Sequence, residues 1–246
     1  MKLRHTLTFL VLASLSLPAL ASSKNNNGFI LIDSQSGKTV GKAAYSIQKS
    51  SKGYKVGGNF QYNLQAGQQG QYSFSSKLDN TGNLLSASVE DQSTQKTYIF
   101  QPNKNRTSVE FTTIQAGNLA TPMSAVLPKP EVFMAPIGDP SGIQVLMTSA
   151  LAHPHTPPIY LLLVPLSVIN KINHYHMVGI QPDSDRTATL DGKSITLKSF
   201  KLRFHTGADG EVYLDDSGNL MEADLPKFGM NYVRKNFTLT PASSAK

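Results

Sequence analysis

Apolar side chains alternate with polar ones along much of this chain, and that alternation predicts its elements. Phe60, Tyr62 and Leu64 are separated by polar residues, and Tyr72 and Phe74 repeat the pattern towards Ser76 after a Gln65–Gly70 connection. A period of two puts such side chains on one face of an extended strand, so the two runs predict a hairpin with an aromatic face. From Phe29 to about Phe111 the chain is rich in Val, Ile, Tyr, Phe, Thr and Ser, with Gly and Asn at hairpin spacing, the pattern of successive antiparallel strands. After Met177 the pattern returns and predicts strands over 187–190, 194–204, 211–214, 220–225 and 231–239. Within the second of these, Phe200, Leu202 and Phe204 alternate with Lys201, Arg203 and His205, giving one apolar and one cationic face.

Two stretches break the strand pattern. Pro122, Pro128, Pro130, Pro136 and Pro140 crowd residues 121–140, a density that no helix or central strand tolerates, and mark a crossing between two halves. Ile143, Leu146, Met147, Ala150 and Leu151 then recur at helical spacing, which predicts a helix over 141–152 with Ser141 as its N-cap. The apolar segment 159–172 fits either a buried strand or a short helix.

One internal match links the halves. Leu78-Asp-Asn-Thr-Gly-Asn-Leu-Leu-Ser-Ala-Ser-Val89 aligns without gaps to Leu214-Asp-Asp-Ser-Gly-Asn-Leu-Met-Glu-Ala-Asp-Leu225. Each predicts a strand ending in Asp, a tight turn with Gly at positive φ, and a second strand. Asp79, Asp215 and Asp216 therefore read as turn formers and not as catalytic acids. Common ancestry of the halves and convergence on a favourable turn both account for the match.

The N-terminus changes the picture from fold to destination. Lys2 and Arg4, an apolar run from Leu7 to Leu17, and Ala19-Leu20-Ala21 form a cleavable secretory signal over 1–21. The run is too short for the roughly 18–20 residues of a membrane span. With no cysteine in the chain, the acylation site of a bacterial lipoprotein, disulfides and cysteine-based zinc or redox chemistry are excluded. The expected product is a soluble periplasmic or secreted protein with a disordered polar lead over 22–28, one β-rich domain over 29–240 and a tail over 241–246. Loss of the signal lowers the net charge from +7 to +5, and the remaining Lys and Arg are scattered, which fits a general surface bias that serves solubility, or contact with anionic lipids, lipopolysaccharide or cell-wall polymers before nucleic acid.

Few motifs carry chemistry. Gly37-Lys38-Thr39 and Gly192-Lys193-Ser194 lack the earlier glycine of a phosphate loop, with Ile32 and Thr187 in its place, and precede strand-like residues. No Gly-x-Ser-x-Gly or His-Glu-x-x-His is present. Two His-x-His pairs, His153 with His155 and His174 with His176, could hold zinc or another divalent transition metal if brought together, with Asp183 or Asp185 as a further ligand. Exposed histidines in a proline-rich loop are the alternative. Lys201 and Arg203 are either solvated charges of a half-buried strand or a cationic stripe for an acidic or phosphorylated headgroup.

The opening Asp33-Ser-Gln-Ser-Gly-Lys-Thr-Val-Gly-Lys-Ala-Ala-Tyr45 and the closing Glu211-Val-Tyr-Leu-Asp-Asp-Ser-Gly-Asn-Leu220 with Tyr232-Val-Arg-Lys-Asn-Phe237 resemble uncharacterised bacterial periplasmic β-rich domains. Those domains are similar to glycolipid-binding proteins and to the lipoprotein-carrier (LolA/LolB-like) half-barrel. The resemblance implies a hydrophobic ligand held inside a curved sheet, and it transfers no catalytic residue. Together these readings predict an all-β or β-dominated fold, an antiparallel sheet curled into a half-barrel or barrel with one or two short helices. The expected function is non-catalytic binding of an apolar or amphipathic, lipid-like ligand through Phe60, Tyr62, Tyr72, Phe74, Lys201 and Arg203. A metal-dependent protein and an envelope scaffold or assembly partner are the alternatives.

Overall fold

A computed structural model of the chain describes residues 27–64, 68–127, 132–134, 140–152, 159–163, 175–205, 207, 209–226 and 229–240. Its first half is a meander of neighbouring antiparallel strands: β1 (Asn27–Asp33), β2 (Thr39–Ser50), β3 (Gly53–Leu64), β4 (Gln68–Leu78), β5 (Leu84–Asp91), β6 (Lys96–Pro102) and β7 (Ser108–Gln115). Short strands β8 (Asn118–Leu119) and β9 (Met123–Val126) pair with β7 at its margin. Pro128, Pro130 and Pro136 lie outside the described residues; Pro122 directly precedes β9, which among the described residues pairs with β7 alone, and the three-residue β10 (Val132–Met134) pairs with one described strand further along the chain.

The one described helix, α1 (Ser141–Ala152), has the predicted limits. Its cap differs, because the Pro140 carbonyl accepts the first intrahelical bond, from Gln144 N–H at 3.0 Å, which puts Ser141 inside the helix. β11 (Ile159–Leu163) resolves the first part of the ambiguous apolar segment as strand, and 164–172 lies outside the described residues. Then follow β12 (Tyr175–Pro182), β13 (Arg186–Leu190), β14 (Lys193–Phe204), β15 (Asp209–Leu214), β16 (Leu220–Leu225), β17 (Met230–Arg234) and β18 (Phe237–Leu239). The single strand expected over 231–239 is thus two, split by a Lys235–Asn236 turn in which Asn236 takes φ +62°. In the aromatic hairpin the strands run on to Leu64 and resume at Gln68, so the connection is shorter than 65–70.

The pairings place β1 between β2 and β17, so the first strand joins the meander to the C-terminal half. From there the ladder runs through β16, β15, β14, β12 and β11 to β10. β10, at one end of that ladder, touches β5 near the other, and α1 touches β2, β3, β10 and β16. Such widely separated strands meet only if the sheet curls round the helix. Among the described residues no pairing joins β10 to β8 or β9, so the curl is an open half-barrel.

Period-two burial lines the inside of this curl with Phe29, Leu31, Phe60, Phe74, Phe100, Phe111, Leu202 and Val212, among others, in one continuous core. A smaller core lies on the outer face. β13 and β18 pair with each other and fold over β14–β17, enclosing Ala188, Leu197, Tyr213, Met221 and Phe237. No described helix is long and apolar enough to cross a membrane.

Candidate functional site

The aromatic face read from the sequence is an ordered stack. Phe60 pairs with Tyr72 across β3–β4, and the Phe60, Tyr72 and Tyr62 rings lie nearly parallel with centroids 4.9 and 5.8 Å apart from ring to ring. Gly70, opposite Tyr62, makes the stack possible, since a Cβ there would stand 2.4 Å from the Tyr72 ring and 2.6 Å from that of Tyr62. Phe60, Tyr72 and Phe74 are buried and Tyr62 is half-buried. Burial, then the hydrogen-bonded Tyr62 hydroxyl 3.3 Å away, push the Tyr72 phenol above its ordinary range.

The helix fills the opposite part of the interior. Residues 141–147 are all buried, so the first two turns face protein, and among the described residues a void of about 30 Å³ lies beside Val145 and Ser149. Gln144 is the polar centre of this packing. Its Oε1 accepts from Leu220 N–H at 2.6 Å and Tyr45 O–H at 3.2 Å, and its Nε2 donates to the Gly218 carbonyl at 2.8 Å. Ser149 donates to the Thr81 carbonyl on the other side. The helix is therefore clasped between the two matching turns of the sequence repeat, one from each half.

Those turns have the same construction. Asp79 Oδ1 accepts from the N–H groups of Thr81 and Asn83, each at 2.9 Å, and Asp215 Oδ1 from those of Ser217 at 3.0 Å and Asn219 at 2.8 Å. Gly82 and Gly218 take φ +87° and +79°, the left-handed region that glycine enters without a Cβ penalty. The strand register also shifts at equivalent places, Lys77/Leu78 and Tyr213/Leu214. Asp79 differs in pairing with Arg106 at 2.8 Å. Burial raises its carboxyl, but hydrogen bonds from Thr81 and Arg106 outweigh this and hold it below the ordinary range.

The cationic stripe lies on the outer face of β14, opposite buried Phe200, Leu202 and Phe204. Lys201 pairs with Asp183, and Arg203 with Asp209, each at 3.3 Å. Further along the same face is a carboxylate cluster: Glu211 stands directly across from Asp224, and Glu222 is next on β16. Burial, followed by neighbouring carboxylates, raises Glu222 and Asp224 above the ordinary range, while Asn231 donates to Glu222 at 2.7 Å.

Of the four paired histidines, His153, His155 and His174 lie outside the described residues. His176 is buried, edge-on to Phe204 with centroids 6.1 Å apart and 5.8 Å from the His205 ring. Among the described residues no three His, Asp or Glu side chains are grouped to hold a metal ion. The phosphate-loop look-alikes are hairpin turns leading into β2 and β14.

Sequence reasoning missed two features. One is Gln144, whose only signal is a lone amide among the apolar positions of the helix. The other is a hollow of about 530 Å³ on the outer face of β1–β4, rimmed by Lys42, Asn59, Gln61, Gln71, Gln92 and Lys235, with Gly28, Ile30 and Ala44 as its floor. Its lysines come from β2 and from the turn after β17, and are brought together by β1 inserting between those strands.

No protein-family model matches this sequence, and no curated protein is similar to it. In fold it is similar to the crystal structure of a beta-barrel-like protein of domain of unknown function DUF1849 from Brucella abortus. The TM-score is 0.53 at 10% identity, over 88% of this chain and 98% of that one. The two share a β-barrel-like architecture.

Proposed function

We propose that this chain is an exported, non-catalytic binding protein whose curled sheet takes the apolar part of an amphipathic, lipid-like ligand. The observation that carries the reading is the occupant of the curl. α1 is enclosed by an aromatic and aliphatic wall, yet it is a weak helix by itself: Gly142, Val145 and Thr148 lower its propensity, and no acidic first-turn or basic last-turn residue complements its dipole. Packing holds it there, together with the hydrogen bonds of Gln144 and Ser149. A ligand supplying comparable apolar contact competes with such a helix for the interior and reaches Phe60, Phe74, Tyr62 and Tyr72. Lys201 and Arg203 stand on the outer face of β14, across the sheet from this interior, and their ion pairs with Asp183 and Asp209 give them no part in holding the buried chain.

The absence of native cysteine makes a clean test. Thr81→Cys with Ser149→Cys puts two thiols at the contact where the Ser149 hydroxyl donates to the Thr81 carbonyl, and mass spectrometry first checks that oxidation joins them and locks the helix to the first turn. A dansyl-labelled fatty acid is expected to bind the reduced protein and to be excluded from the oxidised one; equal binding in both states, or none to the wild type, sinks the proposal. The export half is checked separately, by mass spectrometry of protein expressed with its leader in a bacterial host. The expected mature N-terminus is Ser22.

A further inference from the structure

We infer that the hollow on the outer face of β1–β4 is a second binding site, for an anionic saccharide. Three observations converge on this. The first is charge: the lining includes Lys42 and Lys235 and no carboxylate, and neither ammonium is in an ion pair among the described residues. Two uncompensated cations beside one concavity favour an anion. Glu90, on the outer face of the neighbouring β5, accepts from Ser73 at 3.2 Å and is not part of the lining.

The second is hydrogen-bonding capacity. The side chains of Asn59, Gln61, Gln71 and Gln92 surround the hollow and make no hydrogen bond to other described residues, leaving each carboxamide free to donate and to accept. Sugar hydroxyls need both functions at once. Inorganic phosphate offers at most two O–H donors near neutral pH and an acyl chain neither donates nor accepts, so neither engages all four amides as several sugar hydroxyls do.

The third is shape. Gly28 and Ala44 are register partners in adjacent strands, and with Ile30 they form a low, weakly polar floor against which the C–H face of a sugar ring packs. The volume of about 530 Å³ lies within the range of roughly 300–1,000 Å³ usual for small-ligand sites. This site is separate from the interior proposed above, and locking the helix leaves it intact.

The inference is tested by amide NMR titration of the wild type with trigalacturonic acid, glucose phosphate, neutral maltotriose and inorganic phosphate. Saturable shifts at Gly28, Ile30, Lys42 and Ala44 are expected with one or both charged sugars. The responding arm identifies a carboxylated or a phosphorylated saccharide. A Lys42→Gln/Lys235→Gln double variant, checked for retained amide dispersion, is expected to weaken that binding at least tenfold. Maltotriose or inorganic phosphate binding as tightly as the charged sugars, an unaffected double variant, or no binding of either charged sugar overturns the inference.

Discussion

Asp79 and Asp215 occupy equivalent turns, yet they do not carry equal weight. Each carboxylate binds two turn N–H groups, and Asp79 also binds Arg106 across 27 positions of sequence. Charged-group hydrogen bonds contribute about 1.5–3 kcal/mol, so Asp215→Ala is expected to cost about 1.5 kcal/mol and Asp79→Ala about 3, read from urea midpoints. The pH dependence follows from the lowered Asp79 carboxyl. A depressed folded value means that the unfolded state binds the proton first as pH falls. The stabilisation is therefore fully present above about pH 4, the ordinary aspartate range, and is lost below it as pH falls through the folded value. Asp79→Asn should flatten the acid limb of the stability profile. These two turns were legible in the sequence because Asp, Gly and Asn each have a local reason to be there. The Arg106 pairing was not, because nothing local demands it.

At the scale of the element, α1 was read correctly from its period, while its polar contacts were not. An amphipathic pattern predicts one buried face; this helix is buried all round in its first two turns, and Gln144 is tolerated inside because Leu220, Tyr45, Gly218 and Thr148 satisfy its amide. Gln144→Leu removes the amide's bonds at once, and with them those of Leu220 N–H and the Gly218 carbonyl. A buried polar group left unsatisfied costs about 1–3 kcal/mol, so a loss near 3 kcal/mol is expected in urea denaturation. The strand elements were equally legible where alternation was strict, as in the aromatic hairpin. The Lys235–Asn236 break escaped because Asn at positive φ leaves no mark in hydrophobic patterning. The β13–β18 layer escaped because covering an outer face is a tertiary event.

At the scale of the molecule, the curled sheet was foreseeable from many alternating strands with one helix, but its connectivity was not. β1 carries the seam, pairing Phe29–Asp33 with Met230–Arg234 on one side and 27–32 with β2 on the other. The hollow is a product of that seam, which explains why Lys42 and Lys235 gave no joint signal in the sequence. Removing residues 230–246 deletes one partner of β1 and the cover formed by β18. Such a chain is expected to bind a hydrophobic dye and to lose its cooperative thermal transition, as measured by calorimetry. The seam also sets a clock. A chain emerging N-terminus first, from a ribosome or through a membrane pore, presents β1 at once but must wait for almost all of its length before β17 arrives. The slow, long-range closure of the fold is thus reserved for the last moment of synthesis or passage, and until then the leading strand keeps an open edge that a chaperone can hold.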